Sequence, residues 1–378
     1  MKITILQGAF LPVPPTLGGA VEKMWYALGK IFAEKGHEVV QVSKIYSDMP
    51  EQEWINRVFH KRIRGYQTPS SGVHLKWLDL LYTLRARSVM PIDSDIIVTN
   101  TFWAPIVLSS NLRRRCIVDV ARMPKGQMRL YNQASRLRAN SSSVAKAIKS
   151  ELPASQHGRV VVIPNPIPFW NLPQIDLGLK KPVMLYVGRI HPEKGLELLI
   201  KAFKALGGKW KLQIVGPSDI GAGGGGRSYI ESLKLLADGG NIEFKGPVYD
   251  MEVLNRLYAE ASVFVYPSLA EQGETFGLAP LEAMAWGCVP VISDLTCFRD
   301  FIRHEKNGVV FNHRSEDPAG SLKEAIERLK INSILRFELA TQALKVRQSH
   351  AASVIASQFL DEFERVIYEK KSSNPVIQ

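Results

Sequence analysis

Lys2-Ile3-Thr4-Ile5-Leu6 opens the stretch that decides the fold. A loop rich in proline and glycine follows from Gly8 to Gly19, then Ala20 to Lys35, then Gly36-His37, then Glu38-Val39-Val40-Gln41-Val42-Ser43. The two short apolar runs are bounded by turn residues and have strand length. Between them Met24, Leu28 and Ile31 recur on one helical face. Strand, loop, helix, strand is a βαβ unit, and such a unit requires a parallel sheet.

The pattern continues outward. Asp95–Asn100, Arg115–Val120 and Arg159–Ile163 read as further strands. Pro164, Pro166, Pro168, Pro173 and Pro182 then crowd one segment, the best linker in the chain, because proline interrupts regular structure. Beyond it the alternation restarts. Strands are expected at Val183–Val187, Trp210–Val215, Ile242–Lys245, Val263–Tyr266 and Val289–Ser293. Helices are expected at Gly195–Leu206, around Tyr229–Ala237, and at Met251–Glu260 and Leu278–Trp286. Two doubly wound α/β domains follow, 1–170 and 171–352. A last helix over Ala351–Lys370 places Ile355, Phe359, Phe363 and Ile367 on one face and suits either domain.

Two domains also fit 378 residues. With 46% hydrophobic and 22% charged residues, the composition is that of a globular chain and excludes collagen, coiled coil and general disorder. No apolar run approaches the roughly 18 residues of a spanning helix. The N-terminus lacks the regions of a signal peptide. Three cysteines suit neither a disulfide framework nor a zinc site, so a reducing, cytosolic compartment is expected. The charge is lopsided: residues 1–170 carry 23 Lys and Arg against 11 Asp and Glu, and the remainder 25 against 25. Clusters at Lys61-Arg62-Ile63-Arg64, Arg85-Ala86-Arg87 and Arg113-Arg114-Arg115 point to an anionic partner or to a merely solvated face.

Three constellations carry chemistry. Val187-Gly188-Arg189-Ile190-His191-Pro192-Glu193-Lys194-Gly195 joins a buried strand to a helix, where open parallel sheets bind ligands. Arg189 and Lys194 there suit a diphosphate, or are two solvated cations at a turn. Seven residues separate Glu274 from Glu282, one in a loop and one inside the next helix. Between them, Gly277 allows close backbone approach, and the amides of Gly277, Leu278 and Ala279 can meet a phosphate. Glu282 can accept from ribose hydroxyls, or is an ordinary helix-face carboxylate. Gly18-Gly19 before the first helix is a weaker signal of the same kind. The run Gly221 to Gly226 reads as a flexible surface loop rather than a phosphate cradle, since it lacks the Lys-Ser/Thr ending.

The motifs, in this order along nearly the whole chain, resemble glycosyltransferase family 4 of the group 1 glycosyl transferases. The resemblance implies retaining, nucleotide-sugar-dependent enzymes of GT-B fold: two Rossmann-like parallel-sheet domains with a cleft between them, the last helix (about 353–378) returning to the N-terminal, acceptor-binding domain. It implies that Arg189 and Lys194 neutralise the diphosphate without a metal or other cofactor. Glu274 would contact the donor sugar and steady the charge growing at the anomeric carbon. Gly277, Leu278 and Ala279, with Phe276, would hold sugar and phosphate. Glu282 would bind the ribose, Val248 would lie near the base, and Gly18 and Gly19 would close over the diphosphate. Family members often carry a histidine facing the sugar. Here that region reads Val118-Asp119-Val120-Ala121-Arg122-Met123-Pro124-Lys125-Gly126. Asp119 is then a donor ligand or a structural strand-end carboxylate, and Arg122 and Lys125 are acceptor candidates.

The activity so implied is transfer of a hexose from a nucleoside diphosphate sugar to a hydroxyl, with retention, in polysaccharide or glycolipid assembly. Family base rates favour a UDP-hexose such as UDP-glucose, with GDP-mannose as the alternative. A lipid-linked sugar acceptor at an anionic inner membrane face would suit the basic domain and the stretch Trp77–Arg87, which reads either as an interfacial helix or as a buried one with basic ends. A basic, non-catalytic nucleic-acid- or membrane-binding protein is the competing class. For nucleic acid no binding motif accompanies the charge.

Overall fold

A computed structural model describes residues 1–69, 71–168 and 172–373. They divide into two compact units, 1–168 with 350–373, and 172–349. The boundary expected at 170/171 lies outside the described residues.

The first unit holds β1 (Lys2–Leu6), β2 (Glu38–Lys44), β3 (Gln52–Ile55), β4 (Val58–Ile63), β5 (Ile96–Thr99), β6 (Cys116–Val120), β7 (Arg136–Ala139) and β8 (Val160–Val162). Their order is β3-β4-β2-β1-β5-β6-β7-β8, parallel throughout except that β3 runs antiparallel to β4. The hairpin β3–β4 and strand β7 were not legible beforehand. They contain Lys61 and Arg62, whose cluster reads as an anion-binding or solvated face, and Arg136 and Arg138, which carry no sequence signal. Arg62 is in fact buried: its guanidinium pairs with Glu53 and donates to the carbonyls of Val13 and Pro50. The basic cluster at 61–64 is therefore partly framework, because a cation that meets carbonyls and a carboxylate can be buried.

Helix Ala20–Glu34 presents Met24, Leu28 and Ile31 to the core, as its spacing predicts. The long helix Ala352–Ser373 belongs to this first unit. It sets the Phe359 ring, tilted, against Trp25 at 4.9 Å and the Phe363 ring edge-on against Phe32 at 5.6 Å. Trp77–Arg87 lies within helix Gly72–Val89. That helix buries Tyr82, Thr83 and Ala86 and exposes Val73, Trp77 and Leu84, so the stretch is one-sided, packed on one face and open on the other. Among the described residues no helix is long and apolar enough to cross a membrane.

Two buried groups of this unit titrate in opposite senses. Burial pulls the His60 imidazole down to about 4, helped by neighbouring Arg62. Burial pushes the Asp79 carboxyl up to about 6, against the amides of Phe102 and Trp103 that hydrogen-bond it. Unfolded histidine binds a proton near pH 6.5 and folded His60 does not. The stability from neutral His60 is thus full above pH 6.5 and lost as pH falls to 4. Folded Asp79 holds a proton that the unfolded chain releases near pH 3.8, so its stability is full below 3.8 and lost as pH rises through 6. Each is worth about 3 kcal/mol. Relative to the parent, His60→Gln should gain stability between pH 6.5 and 4, and Asp79→Asn should lose it. Urea unfolding at each pH checks this, and curves parallel to the parent's would show both groups unshifted.

The second unit holds β9 (Lys181–Val187), β10 (Lys211–Val215), β11 (Ile242–Gly246), β12 (Ala261–Tyr266), β13 (Val289–Ser293) and β14 (Val309–Phe311), all parallel. Their order is β11-β10-β9-β12-β13-β14. Successive strands move outward one way from β9 and then the other way from β12. The loops after β9 and β12 therefore leave the sheet side by side and in opposite directions, which is where an open α/β sheet forms a crevice.

Candidate active site

Those two loops carry the residues singled out in the second half of the sequence. Gly195 adopts a left-handed conformation (φ 68°) between the turn Pro192–Lys194 and helix Leu196–Leu206. A β-carbon there would lie 2.1 Å from the carbonyl oxygen of Pro267, so only glycine lets the loops touch. The Leu269 amide donates to the Glu193 carbonyl at 2.7 Å and locks them together. The result is a contact across 80 residues of sequence: Lys194 Nζ donates to Glu274 Oε2 at 2.8 Å, with only 6% and 12% of the two side chains exposed. The ammonium also lies 5.6 Å from the Tyr266 ring centre. Tyr266 stacks on Tyr186 of the neighbouring strand, and burial, with Glu274 nearby, raises both phenols well above their ordinary range.

Arg189 is more open. It donates to Glu193 Oε1 at 2.7 Å and to the Gly223 carbonyl at 2.8 Å. The glycine run is hydrogen-bonded into the fold. The amides of Gly224, Gly225 and Gly226 are bonded to the carbonyls of Asp219, Ile190 and Ser218, and the run buttresses Arg189. Both cations are thus tied to carboxylates. An ammonium has three donors and a guanidinium five, so neither is exhausted by its partner.

Glu274 and Glu282 flank the start of helix Leu278–Ala285. Gly277 caps it at φ 88°, and a β-carbon there would lie 2.4 Å from the Phe298 ring. Pro280 has no amide hydrogen, and the Leu281 amide is spent on the Gly277 carbonyl. The helix-start donors are therefore those of Leu278 and Ala279. The Phe276 ring is buried against Phe301, 5.1 Å away, so its side chain serves the core rather than a donor, as its apolar character dictates. Glu282 is buried and accepts from the Tyr258 hydroxyl at 2.9 Å. Tyr258, 24 residues earlier, carried no sequence signal. Val248 is half-buried in the loop after β11.

In the first unit Gly18 and Gly19 have φ of 80° and 94° and lead into helix Ala20–Glu34. A β-carbon on Gly19 would meet Glu22 Oε2 at 2.2 Å. Glu22 is buried, and burial raises its carboxyl above the ordinary range. Asp119 corrects an expectation. Its side chain is sealed from solvent, one oxygen accepting from Trp25 Nε1 at 2.8 Å and the other from Arg138 Nη1 at 2.7 Å. No face is left for a sugar, and the strand-end structural role fits this geometry. Arg122 and Lys125 are exposed beyond it. The sequence also holds an Asp-x-Asp triplet, Asp93-Ser94-Asp95. It precedes β5, at the opposite end of that strand from the binding edge, and Lys2 holds both carboxylates. Among the described residues no three His, Cys, Asp or Glu are grouped to hold a metal ion.

The family model for glycosyl transferases group 1 matches residues 171–346, the unit that carries Arg189, Lys194, Glu274 and Glu282. The chain carries a glycosyltransferase unit of the group 1 type. An uncharacterized glycosyltransferase of Methanocaldococcus jannaschii is 28% identical to it over 82% of this chain and 84% of its own. Two solved structures share the fold of this glycosyltransferase. A sucrose-phosphate synthase from Thermosynechococcus elongatus superposes with a TM-score of 0.77 at 20% identity, over 98% of this chain and 100% of its own. The Anabaena protein HepE, solved with UDP and glucose, gives 0.69 at 18%, over 97% and 100%. Both of its parallel-sheet units are those of the GT-B fold.

Proposed function

We propose that this glycosyltransferase moves a hexose from a nucleoside diphosphate sugar to a hydroxyl acceptor, with retention at the anomeric carbon. The observation that carries the reading is the nearly buried Lys194–Glu274 pair at the strand-order reversal of the second unit, beside a helix start. Water is largely excluded there, so charge acts strongly on a bound diphosphate. Lys194 and Arg189 would stabilise the leaving group, with the Leu278 and Ala279 amides contributing partial positive charge. Glu274, fixed by Lys194, would meet the donor sugar and the charge growing at its anomeric carbon. Glu282, oriented by Tyr258, would accept from the ribose. Retention follows from front-face attack, in which the departing diphosphate takes the acceptor proton. These roles call for no metal.

The UDP in HepE favours a UDP-hexose, with GDP-mannose as the competing donor. The basic first unit suits an anionic acceptor, such as a lipid-linked sugar at a membrane surface, where Val73, Trp77 and Leu84 lie on the exposed side of their helix with Arg85 and Arg87.

A metal-free thermal-shift series with UDP, GDP, ADP and their sugar conjugates tests the donor. A ligand at 100 times its Kd adds about 2.7 kcal/mol of stability. We expect a shift with one base only, reduced by Glu282→Gln. No shift with any nucleotide would remove the donor assignment and leave the fold.

A further inference from the structure

The turn that presents Glu274 is held from a second side. Gly273 and Glu274 amides both return to the Ala270 carbonyl, at 3.1 and 3.0 Å, so Glu271 and Glu274 lie on one tight turn. Glu271 is half-exposed, yet three donors converge on its carboxylate: His313 Nε2 at 2.8 Å, Arg314 Nε at 2.7 Å and Arg314 Nη2 at 2.8 Å. Ionised Glu271 only accepts, so His313 carries a hydrogen on Nε2. Arg314 also donates to the Asp294 carbonyl after β13 at 3.0 Å, and Arg299 grips the Asp294 carboxylate. The base of this chain is fixed, since the Arg314 amide bonds Asn312 Oδ1 and the Asn312 amide bonds Ser321 of helix Pro318–Ile331.

Exposed ion pairs contribute little to stability, so the Arg314–Glu271 pair, with 48% and 51% of its side chains exposed, is poorly explained by folding. It is well explained by placement. A reacting group displaced by about 1 Å can cost a hundredfold in rate. We infer that His313 and Arg314 are positioning residues for glycosyl transfer, acting through Glu271 to set where Glu274 meets the donor sugar. This rests on the role proposed for Glu274. The loops after β12, β13 and β14 then act as one linked rim, closed on its other side by the Leu269–Glu193 and Lys194–Glu274 contacts.

The test is steady-state transfer by the full chain from the nucleoside diphosphate sugar that stabilises it. Arg314→Met should lower kcat about tenfold, with donor KM within twofold and the unfolding temperature within about two degrees of the parent. Glu271→Gln, which keeps the side chain's size, should lower kcat in the same way. In a Glu274→Ala background Arg314→Met should have no further effect, because residues acting as a unit are not additive. An unchanged kcat in both single variants would overturn the inference while the parent remains active. So would a full tenfold loss persisting without Glu274. A parent that transfers sugar from no nucleoside diphosphate donor would overturn the proposed function and this inference with it.

Discussion

Lys194→Ala is expected to lower the turnover of glycosyl transfer by about a hundred- to a thousandfold. That is the cost of removing one preorganised donor from a developing anion. The expectation rests on where Lys194 sits rather than on its charge alone. A solvated lysine at a β–α turn would be screened and mobile. Lys194 has 6% of its side chain exposed, its ammonium fixed by Glu274 at 2.8 Å and backed by the Tyr266 ring. Its orientation is therefore settled before a donor arrives, and no reorganisation is needed during the reaction. The substitution also leaves Glu274 without its cation. Glu274 keeps 12% of its side chain exposed and Tyr266 as a hydrogen-bonding neighbour, so part of the cost of an unpaired charge is relieved by solvent. Turnover is to be measured per folded molecule, with the unfolding temperature beside it. Turnover equal to the parent's would remove the phosphate role from Lys194. A loss confined to stability would leave Lys194 as framework only.

Arg138→Met should destabilise the first unit by about 3–5 kcal/mol, as expected when one partner of a buried ion pair is removed. Arg138 is fully buried and spends its guanidinium on three groups. Nη1 meets Asp119 at 2.7 Å, Nε the Ile163 carbonyl at 2.7 Å, and Nη2 Asn165 Oδ1 at 2.8 Å. Its plane also lies 5.4 Å from Phe359 of the terminal helix. Methionine fills the space but leaves the Asp119 carboxylate, which still accepts from Trp25, without its cation. Strands β6 and β7, helix Ala20–Glu34, the segment at 163–165 and the terminal helix all lean on this one cation. Restoring neutrality with Asp119→Leu in the Arg138→Met background should recover much of the loss. Urea unfolding measures both. A loss below about 1 kcal/mol would show that water solvates Asp119 once Arg138 is gone.

The α/β class was legible in the chain because parallel strands buried on both faces are short apolar runs, and glycine or proline must end them. β1, β13 and helix Met251–Glu260 begin and end where their composition says. The hairpin β3–β4 was not legible. Arg62 and His60 interrupt its apolar pattern, and what permits their burial lies elsewhere in the chain, at Val13, Pro50 and Glu53 for Arg62.

The same division holds for the site. The residues around Lys194 and those from Glu274 to Glu282 declare a ligand-binding turn each, since glycine, cations and a helix start within a few residues are a local arrangement. That Lys194 and Glu274 touch is a consequence of strand order, which sets β9 beside β12 and brings residues 80 positions apart to 2.8 Å. Asp119, Phe276 and Glu271 were decided the same way. A carboxylate at a strand end becomes framework when an arginine and an indole from distant segments consume both its oxygens, and a phenylalanine in a binding motif turns inward when the core offers it Phe301. The sequence by itself determined which local conformations and chemical groups are available. Tertiary structure alone decided which charges are paired, buried or left to act, because those outcomes depend on partners that only the folded chain brings within hydrogen-bonding distance.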